Sequence, residues 1–237
     1  MNELIKYKFF TRNNGFSRGI YRSLNCGLLS KDSSINIKNN INKAVNKISK
    51  KNKLLILPNQ YHSNKCLIFD KSMKKYRCDA IVTNNPNVIL GITTADCLPI
   101  ILANKKRGII GICHAGWRGL VKGVLENTIK KMKILNSQNI DIQVFIGPCI
   151  RKMSYEVSEI FIEKLNPNYQ IFSYKKKGKY FYDLPKLARF ILNDLNIYNI
   201  HDTRKNTFTD SDYFSYRESK KRGLADYGRN ISMVMLN

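Results

Sequence analysis

The fold class is decided by residues 80–115, which read AIVTNNPNVILGITTADCLPIILANKKRGIIGICHA. This stretch contains four short runs rich in Ile and Val. Each run is bounded by Asn, Pro, Gly or Lys, a pattern typical of β-strands. The predicted strands are Ala80–Thr83, Val88–Thr93, Pro99–Leu102 and Ile109–Cys113.

Helical periodicity follows this stretch. Apolar residues recur at helical spacing from Leu120 to Lys133, and a second stripe runs from Leu184 to Leu195. Two further strands are predicted at Ile142–Ile146 and Ser232–Leu236. Strands that alternate with a few helices predict an α/β (α+β) class, with a mixed sheet buried under helices. The length allows one full core or at most two small domains, and there is no repeat and no Gly/Ser- or Pro-rich linker; we expect one domain spanning residues 1–237.

The composition is ordinary, but the charge is not. The chain has 237 residues, of which 43% are apolar and 24% charged, and this excludes collagen, wholesale disorder and a coiled coil. The 41 Lys+Arg against 17 Asp+Glu give a formal net charge of +24, which attracts polyanions, nucleotides or phosphate esters. The basic residues are scattered through Lys-, Asn- and Ile-rich sequence. Drift towards AT-rich codons therefore explains the charge better than selected nucleic-acid binding, and we expect no nucleic-acid partner.

The basic residues are densest at Lys43–Lys53, Lys71–Arg77 and Tyr174–Lys179, which we expect to form solvated loops or helix faces. Met1–Phe10 has no apolar core of signal-peptide length, and no apolar run approaches the ~18 residues of a membrane span. Six cysteines in a chain of this length do not make a disulfide scaffold. We therefore expect a soluble cytoplasmic protein with reduced thiols and no membrane partner.

Three side chains that can bind a metal stand near predicted strand ends. His62 follows an apolar strand-like stretch, Cys97 follows the Val88–Thr93 strand, and His114 lies between a strand and a helix. Two imidazoles and a thiolate suit Zn²⁺ and leave a fourth position for water or substrate. The spacing alone is a weak signal, because the three do not form a compact CxxC-type motif. Each residue is also compatible with simple packing in the core.

Two neighbouring features bear on the same site. Asp96, beside Cys97 in an apolar stretch, is costly to bury unpaired. It would orient a ligand, contact a substrate or cap a loop. Gly116 and Gly119 flank Arg118 at a predicted helix start, where the backbone and a guanidinium favour an anion. The alternative is an ordinary strand–helix turn with a surface arginine.

Several motifs occur in collinear order along almost the whole chain. They include DAIVT (79–83), TADCLP (94–99), HAGWRG (114–119), GPCI (147–150) and FSYR (214–217), together with Gln60-x-His62. In these motifs the chain resembles the laccase-domain family, also known as the YfiH-like proteins and formerly as multicopper polyphenol oxidoreductases. The resemblance implies a compact, layered α/β sandwich with sheets packed between helices. It also implies that His62, Cys97 and His114 hold one zinc ion.

The resemblance further implies an activity. Related members are described as purine nucleoside phosphorylases that act on adenosine, inosine, guanosine and methylthioadenosine, with phosphate as co-substrate, and as adenosine deaminases. Purine nucleosides and phosphate are then the expected partners. A bacterial branch is linked to the editing of peptidoglycan precursors. The family's usual Cys-Thr before the FSYR motif is Asn206-Thr207 here, which puts substrate preference in doubt.

Candidate roles follow for six further residues. Arg118, Arg12 and Arg229 are candidates for phosphate, which guanidinium binds bidentately. Asp96 or Glu156 would act as general acid or base. Asn25 would contact ribose. The alternatives for these residues are solvation, carboxylate pairing and turn capping.

Three histidines cannot supply the imidazoles that several coppers need, so the sequence disfavours copper and oxidase chemistry. Two other classes of function remain open. One is a cysteine- or zinc-dependent hydrolase that edits peptidoglycan precursors, with Cys97 as nucleophile and His114 as base. The other is a basic nucleic-acid-binding protein. The sequence does not predict the oligomeric state.

Overall fold

The structure is a computed structural model that describes residues 4–237. The strands are β1 (Ile5–Phe9), β2 (Leu54–Ile56), β3 (Cys66–Ile68), β4 (Ala80–Thr83), β5 (Val88–Thr94), β6 (Leu98–Asn104), β7 (Ile109–Ala115), β8 (Ile142–Ile146), β9 (Glu156–Val157), β10 (Ser173–Lys176), β11 (Lys179–Tyr182), β12 (Ile200–Asp202) and β13 (Asn230–Leu236). The helices are α1 (Ser34–Ile48), α2 (Trp117–Val121), α3 (Val124–Ile134), α4 (Glu159–Glu163), α5 (Pro167–Gln170), α6 (Leu184–Asp194) and α7 (Tyr216–Lys221). Of the Met1–Phe10 segment, residues 1–3 lie outside the described residues.

The strands form three sheets. A six-stranded sheet has the order β12-β8-β6-β7-β4-β3, a four-stranded sheet the order β1-β13-β5-β2, and a small sheet the order β10-β11-β9. Both large sheets are mixed. The β3–β4, β12–β8 and β2–β5 pairs are parallel, whereas the remaining pairs are antiparallel. The predicted α/β (α+β) class with mixed sheets is confirmed.

The two large sheets pack face to face between layers of helix. Along β4, Ala80 and Val82 point towards a core shared with α3 and α6, and Ile81 points towards the four-stranded sheet. The period of two in a strand produces this division, since successive side chains face opposite sides. The outer face of the four-stranded sheet is covered by α1 through Ala44 and Ile48. The order of layers is helices, six-stranded sheet, four-stranded sheet, helix, which confirms the predicted layered sandwich.

One prediction about helices needs correction, and one helix, α1, was not predicted from the apolar pattern. The predicted helix Leu120–Lys133 is two helices, because Gly123 adopts φ +89° between α2 and α3 and interrupts the backbone hydrogen bonding. The basic stretch Lys43–Lys53 includes the end of a longer helix, α1. Its buried face recurs at helical spacing but includes Asn40, which obscures the apolar pattern. Within residues 4–237, no helix combines the length and the apolar character needed to cross a membrane.

Asn40 connects α1 to the loop that follows β1. Its side chain is fully buried, and its Oδ1 accepts a hydrogen bond from the Phe16 backbone N–H at 2.8 Å. Its Nδ2 donates to Ser17 Oγ at 2.9 Å and to the Asn25 carbonyl at 2.8 Å. A single amide therefore satisfies the Phe16 N–H and the Asn25 carbonyl, and it also binds Ser17 Oγ, which donates to Asp32 at 2.6 Å.

We expect Asn40→Ala to lower the free energy of unfolding by about 3 kcal/mol, because it leaves buried donors and acceptors unpaired. Asn39→Ala removes an exposed amide from the same helix turn and serves as the matched control, with an expected change within about 0.5 kcal/mol. Urea denaturation of both variants measures the difference. Equal midpoints for the two variants would show that the Asn40 hydrogen bonds do not stabilise the fold.

Candidate functional site

His62, Cys97 and His114 come together although they lie on different parts of the fold. His62 is in the loop between β2 and β3, Cys97 immediately precedes β6, and His114 lies inside β7 rather than after it. Because β6 and β7 are antiparallel neighbours with Leu98 opposite Ala115, the residues flanking this pair meet at one end of the sheet. The three candidate ligand atoms lie within 4.8 Å of one another, and Cys97 Sγ is 3.8 Å from His62 Nε2. This group is compact enough to hold one metal ion.

The carboxylate of Asp79 positions two of the three candidate ligands, His114 and His62. The β4–β7 pairing places it beside His114, whose Nδ1 lies 2.8 Å from Asp79 Oδ1. The same carboxylate accepts the His62 backbone N–H at 3.0 Å, and both the N–H and the Oγ–H of Ser63 at 2.6 Å. Asp79 is fully buried. Because Asp79 occupies Nδ1 of His114, Nε2 is left to bind a metal.

The ionised forms of Cys97, His114 and Asp79 stabilise one another, and this shifts their pKa values. Burial opposes ionisation of the Cys97 thiol, but the charge on His114 and hydrogen bonds from His114 and His62 lower its pKa to about 6. Burial likewise opposes protonation of His114, whereas Cys97 and Asp79 raise its pKa to about 9. Burial would raise the pKa of Asp79, but hydrogen bonds from His114 and Ser63 lower it to about 2. The thiolate, which is the form that binds metals, is therefore favoured at neutral pH.

Two motif residues provide the space and the rigidity that the ligands need. A Cβ on Gly116 would lie 2.9 Å from Cys97 Sγ and 3.1 Å from His62 Cδ2, so a side chain at this position would displace two of the candidate ligands. Gln60 donates through Nε2 to the Thr93 carbonyl at 2.8 Å and accepts the Thr93 N–H at 2.9 Å. Gln60 thereby fixes the His62 loop to β5, which explains the spacing in Gln60-x-His62.

A cleft of about 340 Å³ opens over the three ligand residues. Its walls combine apolar side chains with an aromatic ring and a guanidinium. The lining residues are Leu28, Leu29, Leu57, Pro58, Asn59, Gln60, His62, Thr93, Thr94, Ala95, Cys97, His114, Tyr227 and Arg229. The guanidinium of Arg229 lies over the Tyr227 ring at 4.2 Å. The cleft therefore offers a metal-binding group, a cation and apolar contact surface to one small molecule.

Of the six further candidate residues, only Arg229 lines this cleft. Asn25 is fully buried, and its Oδ1 accepts the backbone N–H groups of Gly27 at 3.0 Å and Arg229 at 2.9 Å. It thus holds the start of the Leu28–Leu29 turn next to Arg229. Arg12 is half-buried, with its guanidinium 4.1 Å from the Phe214 ring centroid.

Asp96, Glu156 and Arg118 lie outside the cleft lining. Asp96 is 7% exposed and accepts hydrogen bonds from Thr207 Oγ at 2.6 Å and the Arg217 N–H at 2.7 Å, while burial raises its pKa. Asp96 therefore connects the Cys97 loop to the C-terminal segment. Glu156 forms an ion pair at 3.0 Å with Lys179. The guanidinium of the exposed Arg118 lies over the Trp117 ring at 4.6 Å. The catalytic roles of these three residues stay predictions.

The Asn206 side chain organises its own loop. Its Oδ1 accepts the Phe208 N–H at 3.2 Å, and its Nδ2 donates to Ser154 Oγ at 2.9 Å. The neighbouring Thr207 bonds Asp96. The departure from the family's Cys at this position is therefore accommodated by local hydrogen bonds.

Sequence reasoning missed the role of Asp79 and the contribution of Leu28, Leu29 and Tyr227. A signal for Asp79 existed, because a carboxylate directly before a strand rich in Ile and Val has to find buried partners. No such signal marked Leu28 and Leu29, which are exposed apolar residues on a turn.

Fold and site together define a layered α/β protein with a His–Cys–His group at the base of a cleft, in which His114 is buried, Cys97 half-buried and His62 exposed. The chain belongs to the family described as multi-copper polyphenol oxidoreductase laccase, whose model matches residues 6–237. The motif-based assignment is thereby confirmed.

Purine nucleoside phosphorylases from several bacteria are similar to this chain over most of its length. A purine nucleoside phosphorylase of Rickettsia conorii is 30% identical over 98% of this chain and 95% of that protein. Another from Aquifex aeolicus is 36% identical over 71% of this chain and 78% of that protein. The purine nucleoside phosphorylase YfiH of Escherichia coli is 29% identical over 90% of this chain and 88% of that protein.

Solved structures share the fold. A Neisseria meningitidis protein superposes with a TM-score of 0.89 at 28% identity, covering 99% of this chain and 95% of that one. The YfiH protein of Bacillus licheniformis gives a TM-score of 0.88 at 25% identity, covering 98% of this chain and 93% of that one.

We expect Asp79→Asn to weaken metal binding about 10- to 100-fold, because it removes the charged acceptor that orients His114. Competition of Co²⁺ against a chelator measures the affinity. Asp70→Asn, which neutralises an exposed carboxylate after β3, is the control and should leave the affinity unchanged. Equal affinities for the two variants would contradict the positioning role of Asp79.

Proposed function

We propose that this protein is a zinc-dependent purine nucleoside phosphorylase. Its substrates would be adenosine, inosine, guanosine and methylthioadenosine, with phosphate as co-substrate, and it would also deaminate adenosine. The observation that carries this proposal is the His62–Cys97–His114 group at the base of a cleft of about 340 Å³. The names of its relatives support the choice of substrate.

The donor set supports zinc as the metal. Two imidazoles and one thiolate within 4.8 Å match the three protein ligands of catalytic zinc sites, which keep a further position for water or substrate. Bound Zn²⁺ would supply Lewis acidity and would lower the pKa of a coordinated water to about 7. Asp79 would keep His114 in the tautomer that presents Nε2 to the metal.

The cleft suits both substrates of phosphorolysis. In this reaction the bond between the purine nitrogen and C1′ breaks, a phosphate oxygen bonds to C1′, and the purine leaves with a proton. Leu28, Leu29 and Leu57 offer apolar contacts to a purine, and the guanidinium of Arg229 suits phosphate. Asn25 would act indirectly, since it holds the backbone of Arg229. In the deaminase mode, water replaces the amino group of adenosine and ammonia leaves.

One observation favours a second candidate, a cysteine hydrolase acting on peptidoglycan precursors. The pKa of Cys97 is lowered to about 6, despite burial, by His114 and His62, and this combination also activates catalytic thiols. In that mechanism Cys97 would attack an acyl carbon and His114 would protonate the leaving group.

We further propose that residues 1–237 form one domain and that the protein acts in the cytoplasm. The continuous layered packing of both large sheets supports the first point. The six free cysteines, one of them in the metal-binding group, suit a reducing compartment.

Adenosine incubated with phosphate and enzyme should yield adenine and ribose 1-phosphate, and some inosine in the deaminase mode. His114→Ala removes a metal-binding side chain, and we expect its rate to fall by at least about 100-fold, the scale of a lost catalytic group. Chromatographic separation of the products gives both rates.

The matched control is His201→Ala, which removes an exposed imidazole outside the cleft. It should keep the wild-type rate. If the wild type releases neither adenine nor inosine from adenosine, the purine assignment fails. If the two histidine variants are equally active, the assignment of His114 fails.

Alkylation of Cys97 distinguishes its role as a zinc ligand from its role as the nucleophile of a hydrolase. In metal-free protein, Cys97 should react with iodoacetamide at a rate that rises with pH and is half-maximal near pH 6, because only the thiolate reacts. Burial raises the pKa of the other five cysteines, so they should react slowly. Peptide mass mapping with and without Zn²⁺ follows each thiol.

Zinc ligation predicts that Zn²⁺ slows alkylation of Cys97 by at least about tenfold. If Zn²⁺ gives no protection and alkylation abolishes the activity of metal-free enzyme, Cys97 is a nucleophile instead.

A further inference from the structure

A second concave surface follows α1 and the end of β1. It consists of two adjoining clefts that share Lys43 and Lys47. We call it the α1 groove and define it by Lys8, Phe16, Lys43, Asn46, Lys47 and Lys50. None of these residues lines the cleft over the metal-binding group. The α1 groove is therefore separate from the proposed active site.

The charged side chains of the α1 groove are all positive. No Asp or Glu lines either cleft, and the sequence has no acidic residue from Ser33 to Phe69. Among residues 4–237, none of the four groove lysines forms an ion pair with a carboxylate. Four uncompensated ammonium groups on one concave surface attract a chain of negative charges.

An aromatic ring is held in the same groove. Phe16 is 48% exposed, and its backbone N–H donates to the buried Asn40 Oδ1 at 2.8 Å. The ammonium group of Lys43 lies 5.1 Å from the centroid of the Phe16 ring. This hydrogen bond holds the Phe16 backbone, and the exposed ring beside the Lys43 ammonium can stack on a planar base.

We propose that the α1 groove binds single-stranded nucleic acid, although the scattered basic residues of the sequence predicted no nucleic-acid partner. The lysines contact successive phosphates, Phe16 stacks on one base, and Asn46 offers its amide to a base edge. A basic groove with an aromatic side chain is the combination that binds single strands with little sequence preference.

Packing argues against a lipid surface as the occupant. Membrane-surface helices insert an apolar face between the lipids. The apolar face of α1, which contains Ile37, Ala44 and Ile48, is already buried on the fold.

The test measures binding of a fluorescein-labelled 12-nucleotide oligothymidylate by anisotropy over a series of salt concentrations. The groove variant is Lys43→Gln/Lys47→Gln/Lys50→Gln. Its matched control, Lys122→Gln/Lys130→Gln/Lys133→Gln, removes three exposed lysines in or beside α3 and the same net charge. The two variants therefore separate a local site from the overall charge of the protein.

We expect the groove variant to weaken binding by at least about tenfold and to reduce the slope of log K against log salt by about 2, since three phosphate contacts are lost. The control should change the affinity less than about twofold. Phe16→Ala, which changes no charge, should weaken binding about fivefold through lost stacking. If the groove variant proves unstable in thermal unfolding, the affinity of Phe16→Ala tests the proposal in its place.

Equal weakening by the two triple variants would overturn the proposal, because overall charge would then explain binding. Unchanged affinity of Phe16→Ala would also overturn it. The proposal would also be overturned if the wild-type protein bound phosphatidylserine vesicles saturably and did not bind the oligonucleotide.

Discussion

The buried carboxylate of Asp79 is the constraint on which the site depends. A charge at this depth is tolerated only with several partners, and Asp79 has them in His114, the His62 backbone and Ser63. These hydrogen bonds fix two of the three candidate ligands relative to one strand. Binding a metal at this group then requires little rearrangement, because the ligands are already oriented when the fold is complete.

The site lies where the two large sheets are joined. Gln60 fixes the His62 loop to β5 of the four-stranded sheet, and His114 belongs to β7 of the six-stranded sheet. Cys97 lies on the connection that runs from β5 to β6, between the sheets. The distances between the three candidate ligands therefore depend on how the two large sheets pack against each other. Substitutions in the core between the sheets should affect metal affinity as well as stability, because they move these connections.

Local patterns predicted a large part of the fold. The four Ile- and Val-rich runs form β4 to β7, since buried strands need continuous apolar sequence and turn residues at both ends. The apolar pattern failed at one local break in a helix and at one buried polar residue. Gly123 interrupts a continuous helical stripe, and α1 has buried Asn40 in its core-facing row. The candidate ligands were found from their chemistry, whereas Leu28 and Leu29 became visible only once the fold placed their turn beside Arg229.

The sequence by itself determined the strand-rich core, the layered α/β class, the family and the three residues suited to a metal, because each depends on local composition or on motifs. The tertiary structure decided which groups meet. It brought Asp79 to His114 through strand register and left Arg118 and Glu156 outside the cleft. It also gathered scattered lysines into the α1 groove. The physical reason is that hydrogen bonds, packing and charge act over a few ångströms in space, between residues that the chain separates by tens of positions.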